Sequence, residues 1–230
     1  MLFRSILALF LMLTLLPSLS LPLSAADPEP FGTTRTSVTP GMTYTISTQE
    51  ELARFSYLSR TTNRLHYYGV TIQLTSDITI TNDYDPTSPG NWTPVYWFFG
   101  TFDGVGHTVT IQCAMNYTEI GFIGMNNGIV KNLTVAGSVS RDYGYSLGGI
   151  AGVNYSTIIN CRNSAAVGSN DATAVGGITG INYGSIINSC NSGVISGTWL
   201  GGGIAGYGNQ ATFLNCYNAG TVTGTGFLGS

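Results

Sequence analysis

Gly149-Ile150-Ala151-Gly152 opens a stretch that ends, eleven residues past its first glycine, in Asn160-Cys161-Arg162-Asn163. Shifting the chain against itself finds the same Gly-apolar-x-Gly pattern at Gly121 to Gly124, Gly177 to Gly180, Gly203 to Gly206 and Gly226 to Gly229. The leading glycines step by 28, 28, 26 and 23 residues. Asn132, Asn160, Asn188 and Asn215 follow them after 11, 11, 11 and 12 residues. The one-residue slip falls around Gly208 to Gln210, where an insertion in a loop is cheapest. Each Asn is preceded by an apolar pair such as Ile158-Ile159 and followed by a short strand signal such as Gly193-Val194-Ile195. The unit reads as three short strands separated by Gly, Asn and Ser turns.

A unit of this length with no helical period cannot bury its own apolar face, so neighbouring units must cover it. The expected architecture is all-β, a solenoid whose coils stack like residues on like, about 4.8 Å apart. Inward Ile, Val, Leu and Phe would form apolar columns, and the aligned Asn side chains a hydrogen-bonded ladder. The repeat glycines Gly121, Gly124, Gly149, Gly152, Gly177, Gly180, Gly203 and Gly206 would sit at the bends, and the glycines near residue 104 would take left-handed turn geometry. Composition agrees. Only 8% of the 230 residues are charged, 31 are Gly, and the net charge is −3. Identical charges repeated up a stack would repel within about 5 Å, whereas Thr, Ser, Asn and Gly tolerate their own kind. So few basic residues also argue against nucleic acid as a partner. With 43% apolar residues the chain has enough to bury that disorder is disfavoured.

The Gly-apolar-x-Gly repeat, the downstream Asn-Cys-x-Asn and the element Gly100-Thr101-Phe102-Asp103-Gly104-Val105-Gly106-His107 together resemble the GLUG repeat of bacterial exported and cell-surface proteins. That repeat also occurs in some immunoglobulin A proteases and adhesin-like proteins. The resemblance spans about Tyr44 to Ser230. It implies a right-handed parallel β-helix, similar in architecture to pectate lyases, and no assigned reaction.

The chain divides into four parts. Residues 1–26 read as a secretory signal peptide, with Arg4 in the n-region, an apolar run from Ile6 to Leu16, and Ser24-Ala25-Ala26 before a cut after Ala26, or alternatively after Ala25. An uncleaved anchor is the competing reading, although the run is shorter than a membrane span needs. Residues 27–43 read as an exposed leader. Residues 44–118 hold a cap and the first coils, and 119–230 the repeats, the last one incomplete. Thr48-x-x-Glu51 and Ser47-x-x-Glu50 have capping-box spacing, and Leu52, Phe55 and Leu58 recur every third residue, so Gln49 to Ser59 is an expected amphipathic helix capping the first coil. The unfinished last unit would leave a strand edge open to end-to-end self-association.

Candidate chemistry is sparse. Asp77, Asp83, Asp85 and Asp103 form the densest acidic group, read as solvated carboxylates ahead of a Ca²⁺ or acid/base site. His66 and His107 follow no metal-ligand spacing, and His107 is expected to make a turn hydrogen bond beside Asp103. Neither a metal, a cofactor nor a catalytic residue is assigned. Cys161 and Cys216 share a repeat position two coils apart, and Cys190 is out of phase, so unbridged and largely buried thiols are expected. Four glycosylation sequons, at Asn91, Asn116, Asn132 and Asn154, read as chance. Trp92, Tyr96 and Trp97 form a candidate sugar contact, with core packing as the competing reading. Tyr155, Tyr183 and Tyr207 follow the repeat glycines by 6, 6 and 4 residues, so the first two align as a contact strip. These features favour a secreted or surface-displayed structural or adhesive module that binds a glycan or a cell-surface protein. The alternatives are a carbohydrate-active enzyme of the pectate-lyase-like architecture and an accessory region of a larger surface protease. If residues 1–26 are a signal, N-terminal sequencing of the exported protein will begin at Asp27, or at Ala26 for the earlier cut; an unprocessed Met1 would identify an anchor.

Overall fold

The computed structural model describes residues 27–61, 67–81, 91–115, 117–141, 143–197 and 199–229. The expected signal segment, His66, Asp83, Asp85, Asn116 and Asp142 lie outside them, and the side chain of Asn91 is not described. The fold is a parallel β-solenoid. One coil reads Ser146–Gly148, Ala151–Asn154, Thr157–Ile159, Arg162–Asn163 and Ala166–Gly168. The expected three strands per unit are therefore five shorter ones, because extra corners break the path. Each strand pairs in parallel with its counterparts in the coils before and after.

One sheet has eight strands, and its inward column shows how like stacks on like. Tyr44, Ile72, Phe102, Val130, Ile158, Ile186 and Phe213 stand directly over one another. The first six are buried, and Phe213 is 46% exposed because it belongs to the last complete coil. Loop length changes only at corners. Asn182 pairs with Gly208 but Ser185 with Thr212, so one residue is inserted between those strands, and Gln210 absorbs it at φ 53°.

The helix runs Gln49–Thr61, two residues longer than expected. The Thr48 hydroxyl accepts the Glu51 amide at 3.2 Å, and the Glu51 carboxylate reaches back to the Ser47 amide at 2.8 Å, satisfying donors that a helix start leaves open. The same carboxylate accepts from Gly32 N, tying the leader to the helix. Leu52, Phe55 and Leu58 are buried, and the Phe55 ring packs on Phe31, Tyr67, Phe98 and Phe102. Residues 27–43 are mostly exposed, yet they do not hang free. Glu29–Pro30 pairs with Thr43–Ile46, and Phe31 is buried in this aromatic cluster.

Three ladders of asparagine run through the stack. The expected one is on the outside: Asn160, Asn188 and Asn215 each donate to the Asn one coil earlier at 3.1 to 3.3 Å, and Asn132 donates to Asp103 at 3.0 Å. The other two are internal. Asn126, Asn154 and Asn182 link at 2.7 Å, and Asn163, Asn191 and Asn218 at 2.7 to 2.8 Å. The middle rungs, Asn154 and Asn191, make all four of their amide hydrogen bonds within the protein. Asn191 Oδ1 accepts from Asn163 Nδ2 and Gly193 N, while its Nδ2 donates to Asn218 Oδ1 and Gly193 O. A saturated polar network avoids the desolvation cost of a buried amide.

The leading repeat glycines lie at bends between strands, as expected, and Gly106 takes the expected left-handed turn at φ 87°. The outer asparagines are left-handed too, with φ of 52°, 53°, 48° and 52° at Asn132, Asn160, Asn188 and Asn215. The leading glycines have no positive φ. A Cβ on Gly149 would collide with the Asn163 amide, and one on Gly177 with Asn191. The glycine half of the repeat is thus a seat for the asparagine half, fourteen residues later in the same coil. Replacing Asn154 with Ala leaves rungs on both sides open and should cost about 1–3 kcal/mol for each buried group orphaned. On the outer ladder Asn160→Gly should be nearly neutral, whereas Asn160→Ala should cost about 1–2 kcal/mol through its left-handed backbone. Denaturant midpoints of the three variants check this order.

Candidate functional site

Trp92 is buried and stacks on Phe122 at 6.4 Å with an interplanar angle of 4°, so it cannot meet a ligand. That part of the expected sugar contact is a core residue. Tyr96 is half-buried and Trp97 is 42% exposed, with their rings stacked at 6.0 Å. Trp97 turns outward because it takes a positive φ of 49°, which breaks the in-out alternation of its neighbours Val95 and Phe98.

Register extends this pair into a surface. Val95 pairs with Ile123 and Phe98 with Asn126, so Trp97 heads the column Met125, Val153, Ile181, Tyr207. Tyr207 therefore departs from the Tyr row. Tyr155 and Tyr183 stand in the neighbouring column, their rings 5.2 Å apart and 8° from parallel. On the other side Thr118, Tyr145, Thr173 and Trp199 follow one another, from their hydrogen bonds. Val153, Ala174 and Ile181 form a small apolar cluster of their own beneath this face. Trp97, Tyr145, Tyr155, Tyr183, Trp199 and Tyr207, all more than a third exposed, thus gather along one edge of the solenoid.

One carboxylate lies within this aromatic edge. Burial raises the Tyr155 phenol pKa, and Tyr183, Glu119 and Tyr145 raise it further. Burial followed by Glu119 and Tyr117 does the same to Tyr96. Tyr155 and Tyr96 accordingly hold their protons more tightly than a free phenol.

The remaining candidates are structural. His107 bonds Asp77 through Nδ1 at 3.1 Å instead of standing with Asp103, and the Thr108 amide donates to the same carboxylate oxygen at 2.9 Å. These two bonds, the amide first, hold Asp77 below the usual carboxylate range. Asp103 caps the Val105 amide, receives Asn132 and pairs with Lys131 at 3.1 Å. Burial pushes its pKa up, but Asn132, the Val105 amide and Lys131 outweigh burial and leave it lowered. Among the described residues no cluster of three or more His, Cys, Asp or Glu could hold a metal ion. No disulfide joins the four cysteines. Only Cys161 is buried, its thiol pKa pushed up to about 12 by desolvation; the other three are half-buried, fewer than expected. Of the sequon asparagines, Asn154 is buried and Asn132 is held in its ladder. A groove of about 490 Å³ crosses Ser138, Ala166 and Val194, with Arg141 as its one charged lining residue.

No protein-family model matches the chain, and no curated protein matches it. Among solved structures it is similar to a crystal structure from Bacteroides ovatus named "putative immunoglobulin A1 protease". That likeness has a TM-score of 0.61 at 21% identity and covers 81% of this chain and 68% of the other. At this identity it establishes the shared fold. Among the described residues no helix is long and apolar enough to cross a membrane.

Asp103 gives the outer ladder a pH dependence. Its native pKa is lowered, so its contribution is complete above the ordinary carboxylate pKa and is lost as pH falls through the native value. Asp103→Asn keeps an acceptor for Asn132 and should flatten the decline of stability below about pH 4. Thermal midpoints of both proteins from pH 6 to pH 2 measure the difference.

Proposed function

We propose that the protein is a secreted or cell-surface binding module, non-catalytic, whose contact surface is the aromatic edge from Trp97 to Trp199. The observation that carries this reading is the gathering of six exposed Trp and Tyr rings along one edge of a chain with little charge. Exposed apolar surface concentrated in this way marks an interaction site. Flat apolar faces with polar edges suit a glycan, with a cell-surface protein as the other partner class. The asparagine ladder beneath holds the rings in fixed register, which lowers the ordering cost of binding. The likeness to the Bacteroides ovatus structure favours a second reading, a non-catalytic region of a larger surface protease.

A glycan-array and host-matrix screen of the purified chain tests the module. Saturable binding should fall about tenfold in the Trp97→Ala, Tyr145→Ala, Trp199→Ala triple variant, the loss of roughly 1.4 kcal/mol of ring contact. Turnover of polyuronates, or binding untouched by the triple variant, would overturn this reading.

A further inference from the structure

The sheet in which Ser138 to Ser140, Ala166–Gly168 and Ile195–Gly197 pair in parallel buries Val139, Val167 and Ile195 as its inward column. Its outward residues are Ser138, Ala166 and Val194 in one column and Ser140, Gly168 and Ser196 in the next. None is larger than valine, so this face is hollow where the eight-stranded sheet carries Lys131, Ile159 and Ile187. Ala114–Met115, which pairs with Asn91–Trp92 and not with Ser138 to Ser140, walls one end. The hollow measures about 490 Å³, in the size range of small-ligand sites.

Arg141 lines the groove just past the end of its first strand. Its Nη1 donates to Tyr117 O in the preceding coil, which fixes the guanidinium and uses one of its five donors. Among the described residues no carboxylate pairs with it. Asp171, in the adjoining corner, does not line the groove; its amide donates to Ser169 Oγ. Ser138, Ser140, Ser169, Ser196 and Asn170 supply the other polar side chains, and each hydroxyl can both give and take a hydrogen bond. No aromatic ring is among the lining residues.

The geometry points to a second binding site in this groove, for a carboxylate-bearing sugar of an acidic glycan, with Arg141 as the residue that holds its charge. A planar guanidinium matches a carboxylate with two parallel bonds, and the serine hydroxyls match the ring hydroxyls of a sugar. A neutral sugar would leave the guanidinium without a counter-charge and find no ring to stack on. The apolar anchor of a protein partner would strand the hydroxyls and Arg141 against hydrocarbon. The site goes beyond the aromatic edge and does not depend on it, since none of the six exposed rings of that edge lines the groove.

Two variants of the whole chain separate charge from shape. Arg141→Gln removes the charge, and the double variant Ala166→Leu, Ser196→Leu fills the hollow and keeps Arg141. Both leucines stand at exposed strand positions, so the pair should fold with an unchanged denaturation midpoint. Calorimetric titration would use trigalacturonate, trimannuronate and 3′-sialyllactose as carboxylated probes, cellohexaose as the neutral probe and a sulfated galactan tetrasaccharide as the sulfate-ester probe. At least one carboxylated probe should bind the wild-type chain, and each variant should weaken it by about tenfold or more. Undiminished binding to either folded variant would overturn the site; should Arg141→Gln fail to fold, the leucine pair decides alone. Equal or tighter binding of cellohexaose or of the sulfate ester, with the same loss in the variants, would overturn the ligand class. No binding of any carboxylated probe would overturn the site and leave the aromatic edge to its own triple variant.

Discussion

In this solenoid nearly every side chain has its own repeat-mate as its closest neighbour, one coil above and one below. That single constraint decides which residue types the repeat admits. Branched aliphatics satisfy it by packing, and asparagine satisfies it because one amide is both donor and acceptor, so a column of amides pairs with itself indefinitely. Lysine or aspartate cannot. The few charges near the stack sit where a column changes character, as Asp103 does at the head of the outer ladder, where it takes the amide proton of Asn132 and the ammonium of Lys131.

Much of this was legible in the sequence, for a physical reason. Parallel in-register pairing turns a spacing of 28 residues into direct contact, so the Asn160 and Asn188 spacing already implied their hydrogen bond. The inner ladders were less visible. Asn126 and Asn154 recur at the same spacing, but an in-out reading of short strands assigns inward positions to apolar residues and passes over a polar side chain satisfied by its own copies. The repeat glycines were placed at bends, but what packs against them was not foreseen. Left-handed geometry is glycine's commonest use, yet here asparagine takes the left-handed corners and Gly149 is required by what presses against it, a contact between segments fourteen residues apart that no local rule reveals.

The aromatic cluster shows the same limit. Trp92 and Trp97 are five residues apart and chemically alike, and one is core while the other is surface. A single positive φ at Trp97 reverses its direction. Tyr155 and Tyr183 could be aligned from spacing alone, whereas their association with Tyr145 and Trp199 requires knowing that the strands Ser146–Gly148 and Ala151–Asn154 fold against one another at the glycine corner. Candidate sites on a solenoid are thus easiest to foresee along the axis and hardest around the circumference.

The direction of the rungs has a mechanical consequence. Strand pairing and amide ladders both point along the axis, so a pull on the two ends loads these bonds in series, and the weakest coil yields before the rest. Each coil of 28 residues that peels away releases about 90 Å of extended chain. Under tension such a body lengthens in steps, dissipating load coil by coil while the remaining coils keep their shape.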